Sequence, residues 1–158
     1  MNQLRIVAVA VVFLLKFLIP YFVFCILNFI NMNRFVILLH KFVGVDECEH
    51  WDVMFEIEVA GYGQLDTWSI PPQLNSIQKE LNAFSCPAKH LPLHRIIYLN
   101  YEGDISNNRG NVKKIDKGTY KKINENKFKL YGNLLNGKLT IENNKNNPNS
   151  FQITYMPE

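Results

Sequence analysis

From His50 to Val59 the residues alternate, with Trp51, Val53, Phe55, Ile57 and Val59 at one parity and His50, Asp52, Met54, Glu56 and Glu58 at the other. Successive side chains of an extended strand point to opposite faces. The pattern therefore predicts a strand whose wholly apolar face lies on a core. Its other face carries an imidazole and a carboxylate two residues apart, a spacing that lets His50 and Asp52 share a divalent ion.

The chain around this strand is punctuated into short, β-rich segments. Arg34–Lys41 reads as the preceding strand, and the opening strand ends at the hairpin-type turn Gly61-Tyr62-Gly63-Gln64. Leu65–Ile70 returns and is stopped by Pro71-Pro72. Ile77, Leu81 and Phe84 stand at helical spacing, which predicts a short helix over Asn75–Phe84, and Leu91–Leu99 is again strand-like. Short strands follow at Val112–Asp116, Thr119–Ile123, Lys127–Gly132, Lys138–Asn143 and Phe151–Tyr155. Lys117-Gly118, Asn124-Glu125-Asn126, Asn136-Gly137 and the run Asn143–Asn149 read as turns between them. Asn136-Gly137 is the strongest turn signal, because both residues tolerate positive φ. So many short strands predict an all-β, mostly antiparallel barrel or sandwich with one short helix.

The first thirty residues are of another kind. The chain averages 47% hydrophobic and 20% charged residues, a globular mean that conceals a nearly all-apolar stretch at 1–31. Ile6 to Ile30 is long enough to cross a bilayer, which takes ~20 apolar residues. Lys16 near its centre costs roughly 2.5–3.5 kcal/mol on insertion scales, and so apolar a run offsets that. Met32 also reads as a natural start for the first strand. The expected organisation is a hydrophobic leader at 1–31 and a β-domain at 32–158. Translation from Met1 makes the protein a single-pass membrane-anchored one, and translation from Met32 makes it cytoplasmic.

Charge and cysteines narrow the classes further. Residues 103–158 carry ten Lys/Arg against five Asp/Glu, a net +5 within a chain of net +3. Such a segment either attracts phosphates or forms a solvated surface. Cys25, Cys48 and Cys86 have no CxxC spacing, which excludes a disulfide framework and fits a reducing compartment. Cys48, two residues before His50, reads as a loop or buried thiol in preference to a soft metal ligand. No P-loop, nucleophile elbow or HExxH helix is present.

Four histidines remain: His40, His50, His90 and His94. His40 ends the strand before the opening one and converges on His50 and Asp52 if the two strands pair. His94, Tyr98 and Glu102 share a parity further on. Imidazole plus carboxylate suits a borderline divalent ion such as Mn²⁺ or Zn²⁺.

Five segments, in order, resemble those of the 3′-phosphoesterase domain of bacterial DNA ligase D, in its short stand-alone form. His50-Trp51-Asp52-Val53-Met54-Phe55-Glu56 is similar to its "H-[YW]-D-x-x-x-E", and Thr67-Trp68-Ser69-Ile70-Pro71 to its "S-W-A-V-P". His94-Arg95-Ile96-Ile97-Tyr98-Leu99-Asn100-Tyr101-Glu102-Gly103 resembles "H-P-L-x-Y-x-x-F-E-G". Val112–Tyr120, containing Asp116-Lys117-Gly118-Thr119-Tyr120, resembles "V-x-x-W-D-x-G-T-W". Gly132-x-Leu134-x-x-Gly137-x-Leu139 resembles a closing "G-x-L-x-G-x-x-x-L" with a shifted glycine. The resemblance spans roughly residues 34–156.

The resemblance implies a compact β-barrel with a metal site on its outer surface. It also implies a monomeric hydrolase that trims 3′-ribonucleotides and 3′-phosphates from DNA or RNA–DNA primers, Mn²⁺ being preferred, alongside DNA-repair ligases or polymerases. By motif, His50 and Asp52 are metal ligands, His94 contacts the scissile phosphate and Tyr98 supports it. The family's further metal-binding His falls at Gly44, so His40 is its substitute. Met54 stands where the family commonly has Arg, and Pro72 where it has Lys. Arg95, Arg109 and Lys89 are the cations available to replace them. The departures keep two other readings open: a non-catalytic module that binds nucleic-acid ends, and a membrane-anchored β-domain.

Overall fold

In the computed structural model the described residues are 18–19, 32–42, 48–73, 81–144 and 147–158. Among the described residues of Asn33–Glu158 there are nine strands: β1 (Asn33–Lys41), β2 (Glu49–Val59), β3 (Tyr62–Ile70), β4 (Phe84–Arg95), β5 (Gly103–Asp104), β6 (Asn111–Lys122), β7 (Lys127–Gly132), β8 (Asn136–Asn144) and β9 (Asn147–Pro157). They pair in the order β1-β2-β3-β4-β9-β8-β7-β6-β5, all antiparallel. A further pairing of β1 with β6 closes eight of them into a barrel, leaving β5 as an appendage on β6. The barrel of the expectation is therefore the observed architecture.

The opening strand behaves as its alternation requires. Trp51, Val53 and Phe55 point inward and join Phe35, Ile37, Tyr120, Phe128, Leu130, Leu139, Ile153 and Tyr155 in the barrel core. A second apolar cluster lies outside the barrel wall, where Val36 and Leu38 of β1, Met54 of β2, Leu65 of β3 and Val112 of β6 are covered by Tyr98 and Leu99. β1 is thus buried on both faces, which explains why Phe35–Leu39 is a continuous apolar run and not an alternating one. Met54 is 1% exposed, and its burial stabilises the fold by about 1.5–3 kcal/mol.

Several expected boundaries move. Ile96–Leu99 forms a 3-10 turn, not the end of a strand, with Asn100 and Tyr101 N–H groups donating to the Ile97 carbonyl. The β-rich composition of Ile96–Leu99 does place it on a sheet, but as the lid of the outer cluster. Lys117-Gly118 and Asn136-Gly137 are not turns either: the first lies inside β6, which is continuous from Asn111 to Lys122, and the second opens β8. Their glycines allow close backbone approach instead, since a Cβ on Gly118 would lie 2.1 Å from the Tyr131 carbonyl and one on Gly137 2.2 Å from that of Met156. The first hairpin turns at Ala60-Gly61, both at positive φ, and Gly63 is already in β3. Strands β8 and β9 run into the Asn-rich segment that reads as a turn. Most of the expected helix, residues 75–80, and the leader, apart from residues 18–19, fall outside the described residues; Phe84 opens β4. Among the described residues no helix is long and apolar enough to cross a membrane.

At the barrel seam Arg34 Nε donates to Glu56 Oε2 at 2.6 Å, and this pairing holds the Glu56 carboxyl below its ordinary pKa. A depressed folded-state pKa stabilises above the unfolded value and is lost as pH falls through the folded one. Because Arg34 is largely exposed, the contribution is only about 0.5 kcal/mol. Glu56→Gln should therefore lose that much at neutral pH in a denaturant titration, and the gap from wild type should close on acidification.

Candidate metal centre

His40 and His50 stand directly opposite each other across β1 and β2, with Leu38 opposite Asp52. Cross-strand partners on one face sit about 5 Å apart at Cβ, so this register brings the three polar side chains together. The imidazole centroids are 4.8 Å apart. His40 Nδ1 lies 3.6 Å from Asp52 Oδ2, and His50 Nε2 lies 3.2 Å from Asp52 Oδ1. All three donor atoms fall within 4.8 Å of one another. Ligands ~2.1 Å from a common ion stand about 3–3.5 Å apart, so small side-chain rotations close the shell.

The surroundings prepare these atoms for a cation. Asp52 is 3% exposed, yet among the described residues its Oδ1 makes no hydrogen bond, although His50 Nε2 stands 3.2 Å away. An unsatisfied buried carboxylate oxygen is costly, and a metal ion removes that cost. His40 Nε2–H donates to the Arg109 carbonyl at 2.7 Å, which fixes the tautomer and leaves Nδ1 aimed at Asp52. Phe42 stacks on His40 at 4.4 Å between centroids and shields the pair. Burial on its own would raise the Asp52 carboxyl; the two imidazoles outweigh it and hold its pKa below the ordinary value. The Asp52 carboxylate in turn raises the pKa of His40, against the opposing effect of burial. The residues present thus fit a divalent ion, with second-sphere support from a backbone carbonyl.

That carbonyl depends on the turn Ser106–Gly110. Asn107, Asn108 and Gly110 all have positive φ, +98° at Gly110. A Cβ on Gly110 would also meet the Lys41 carbonyl oxygen at 2.0 Å. Gly110→Ala should therefore cost about 2 kcal/mol or more in denaturant stability. By moving the Arg109 carbonyl off His40 it should also weaken Mn²⁺ binding about 10–100-fold by calorimetry.

A cleft of about 590 Å³ adjoins two of the three candidate ligands, His40 and Asp52. His40, Asp52, His94, Tyr98, Arg95 and Arg109 line it, over a floor that includes Met54. His94 and Tyr98, one from β4 and one from the 3-10 turn, are brought together at 5.9 Å between ring centroids. His94 Nδ1–H donates to the Pro92 carbonyl at 2.8 Å, and among the described residues Nε2 makes no hydrogen bond. The Arg95 guanidinium sits 5.8 Å from the Tyr98 ring centroid.

Other expected participants lie elsewhere. Glu102 does not continue the parity of His94 and Tyr98; its carboxylate accepts from the Lys114 amide at 2.7 Å. His90 contacts Asp66 at 2.7 Å and stacks on Trp68, and exposed Lys89 does not line the cleft. Cys48 is exposed and outside the ligand group, Pro72 is exposed beyond β3, and Gly44 falls outside the described residues. The Arg109 carbonyl and Phe42 escape a reading of the sequence. A carbonyl leaves no side-chain signature, and only Gly110 hints that its turn is constrained.

Most of the basic residues of the C-terminal third lie on the neighbouring strands β6, β7 and β8. Lys121, Lys129 and Lys138 stand side by side across β6, β7 and β8, and Glu158 pairs with the last two. No protein-family model matches the chain, and no curated protein is significantly similar to it.

Proposed function

We propose that the β-domain is a divalent-metal-dependent phosphoesterase that removes 3′-phosphates or 3′-ribonucleotides from nucleic-acid ends, as its resemblance to the DNA ligase D 3′-phosphoesterase domain implies. The observation that carries this reading is the convergence of His40, Asp52, His94, Arg95 and Arg109 on one cleft, beside His50. A divalent ion held by His40 Nδ1, His50 Nε2 and the Asp52 carboxylate would supply Lewis-acid polarisation of a phosphate oxygen and a more acidic water, with Mn²⁺ the favoured ion and Zn²⁺ the runner-up.

The chain's own groups do the rest. Asp52 and the Arg109 carbonyl orient the imidazoles. His94 Nε2 faces the substrate phosphate to stabilise its charge or protonate the leaving oxygen, with Tyr98 packed against the ring. Arg95 and Arg109 at the cleft wall take the place of the cations that Met54 and Pro72 lack, and stabilise charge that grows in the transition state. The outward lysines of β6–β8 supply salt-sensitive attraction for a nucleic-acid backbone. His94→Ala should abolish phosphate release from a 3′-phosphorylated primer while leaving primer binding largely unchanged. Unchanged release by that variant contradicts the assignment of His94.

One observation favours a second reading, a nucleic-acid end-binding module with weakened catalysis. Met54 is sealed into the outer apolar cluster, so the position cannot present a cation without heavy desolvation. Metal-dependent turnover separates the two readings, because the binding module retains primer affinity without phosphate release.

A further inference from the structure

Among the described residues the barrel interior is filled at one end and open at the other. Trp51, Ile70, Leu135, Leu139, Ile153 and Tyr155 are all at most 2% exposed in the filled part. At the other end a cavity of about 690 Å³ opens between β2, β3, β6, β7, β8 and β9. An eight-stranded barrel is just wide enough either to be filled by side chains or to hold one small ligand. The cavity falls within the range of small-molecule sites. It shares no lining residue with the cleft beside the metal ligands.

Its chemistry selects a ligand class. Five aromatic residues line it: Phe55, Trp68, Tyr120, Phe128 and Phe151. The two polar handles among them are already used, Tyr120 Oη–H donating to the Glu56 carbonyl at 2.7 Å and Trp68 Nε1–H to Asp66 at 3.2 Å. The walls therefore offer hydrocarbon and π-systems. Among the charged side chains of the lining, Asp66 and Glu125 outnumber Lys122. Asp66 is held in place by Trp68 and His90, which fixes a carboxylate at the edge of an aromatic box. Aromatic rings and carboxylates together favour an organic cation over a neutral or anionic analogue of the same shape.

We infer that the barrel mouth is a second ligand site, for a small aromatic molecule bearing a cationic amine, and that it works independently of the metal centre. The test uses the full chain and three probes of one shape and different charge: 2-phenylethylamine, 2-phenylethanol and phenylacetate. Binding is followed by NMR shift perturbation and by tryptophan fluorescence, which reports locally because Trp68 lines the cavity while Trp51 is sealed in the core. The amine should bind saturably, about tenfold tighter than phenylacetate, with the alcohol between them and no change on adding EDTA. Glu125→Gln, in an exposed turn, should lower the amine's affinity severalfold and leave the alcohol's unchanged. A bulky Ile57→Trp filling the cavity should abolish binding of all three in a protein that still melts cooperatively. Absence of saturable binding, equal affinity for the acid, or binding that survives Ile57→Trp would overturn the inference.

Discussion

Asp52→Asn is expected to lower Mn²⁺ affinity by at least about 100-fold, more than the 10–100-fold typical for loss of an outer-sphere partner. The substitution keeps the shape of the side chain and removes its charge, the one anion among the three candidate ligands. In wild type, Mn²⁺ at 100 times its dissociation constant should stabilise the fold by about 2.7 kcal/mol, or roughly 10 °C in melting temperature. The variant should show no such metal-dependent shift, although it should melt cooperatively without metal. A purely structural carboxylate gives the opposite signature: a less stable metal-free protein and a metal response that was never there. Isothermal titration together with thermal melts, each with and without Mn²⁺, separates the two.

The largest effect on stability is expected at Asp116. Its carboxylate is 3% exposed and accepts four backbone N–H donors, Lys117 and Asn133 at Oδ1 and Leu134 and Leu135 at Oδ2, all between 2.8 and 3.1 Å. The loop after β7 is thus folded onto one side chain, and Gly132 makes room for it: a Cβ there would lie 2.4 Å from Asp116 Oδ2. Asp116→Ala leaves buried donors unpaired at about 1–3 kcal/mol each, so a loss of about 4 kcal/mol or more is expected. That approaches the whole stability of an ordinary domain. Asp116→Asn keeps one acceptor oxygen and should cost about half as much. Urea denaturation of both variants checks the order. The segments around Asp116 and Gly132, which invite a functional reading, are thereby joined in a structural role.

What the sequence makes legible divides along physical lines. Alternation in His50–Val59 gave the strand and its inward face, because period 2 follows directly from backbone geometry. The same alternation put Met54 on the outer face correctly, but nothing local reveals that this face is roofed by Tyr98 and Leu99. Tyr98 stands out in the sequence, yet as part of a strand, since Ile96–Leu99 has β-type composition and only tertiary burial curls it. The approach of His40 to His50 could be inferred once β1 and β2 were paired, and the register between them could not. Gly118 and Gly137 misled for a definite reason: glycine marks close strand approach as well as turns. Asp116 stands within a motif segment, but its structural role does not show in the sequence because its partners are backbone amides, which every residue has.

The candidate metal centre is tested most directly by anomalous scattering at the manganese edge from crystals grown with Mn²⁺. The account predicts one peak bounded by His40 Nδ1, His50 Nε2 and the Asp52 carboxylate, at about 2.0–2.3 Å from each, and its absence in Asp52→Asn. Crystals that show no peak there, or a peak bound only to other residues, would contradict it.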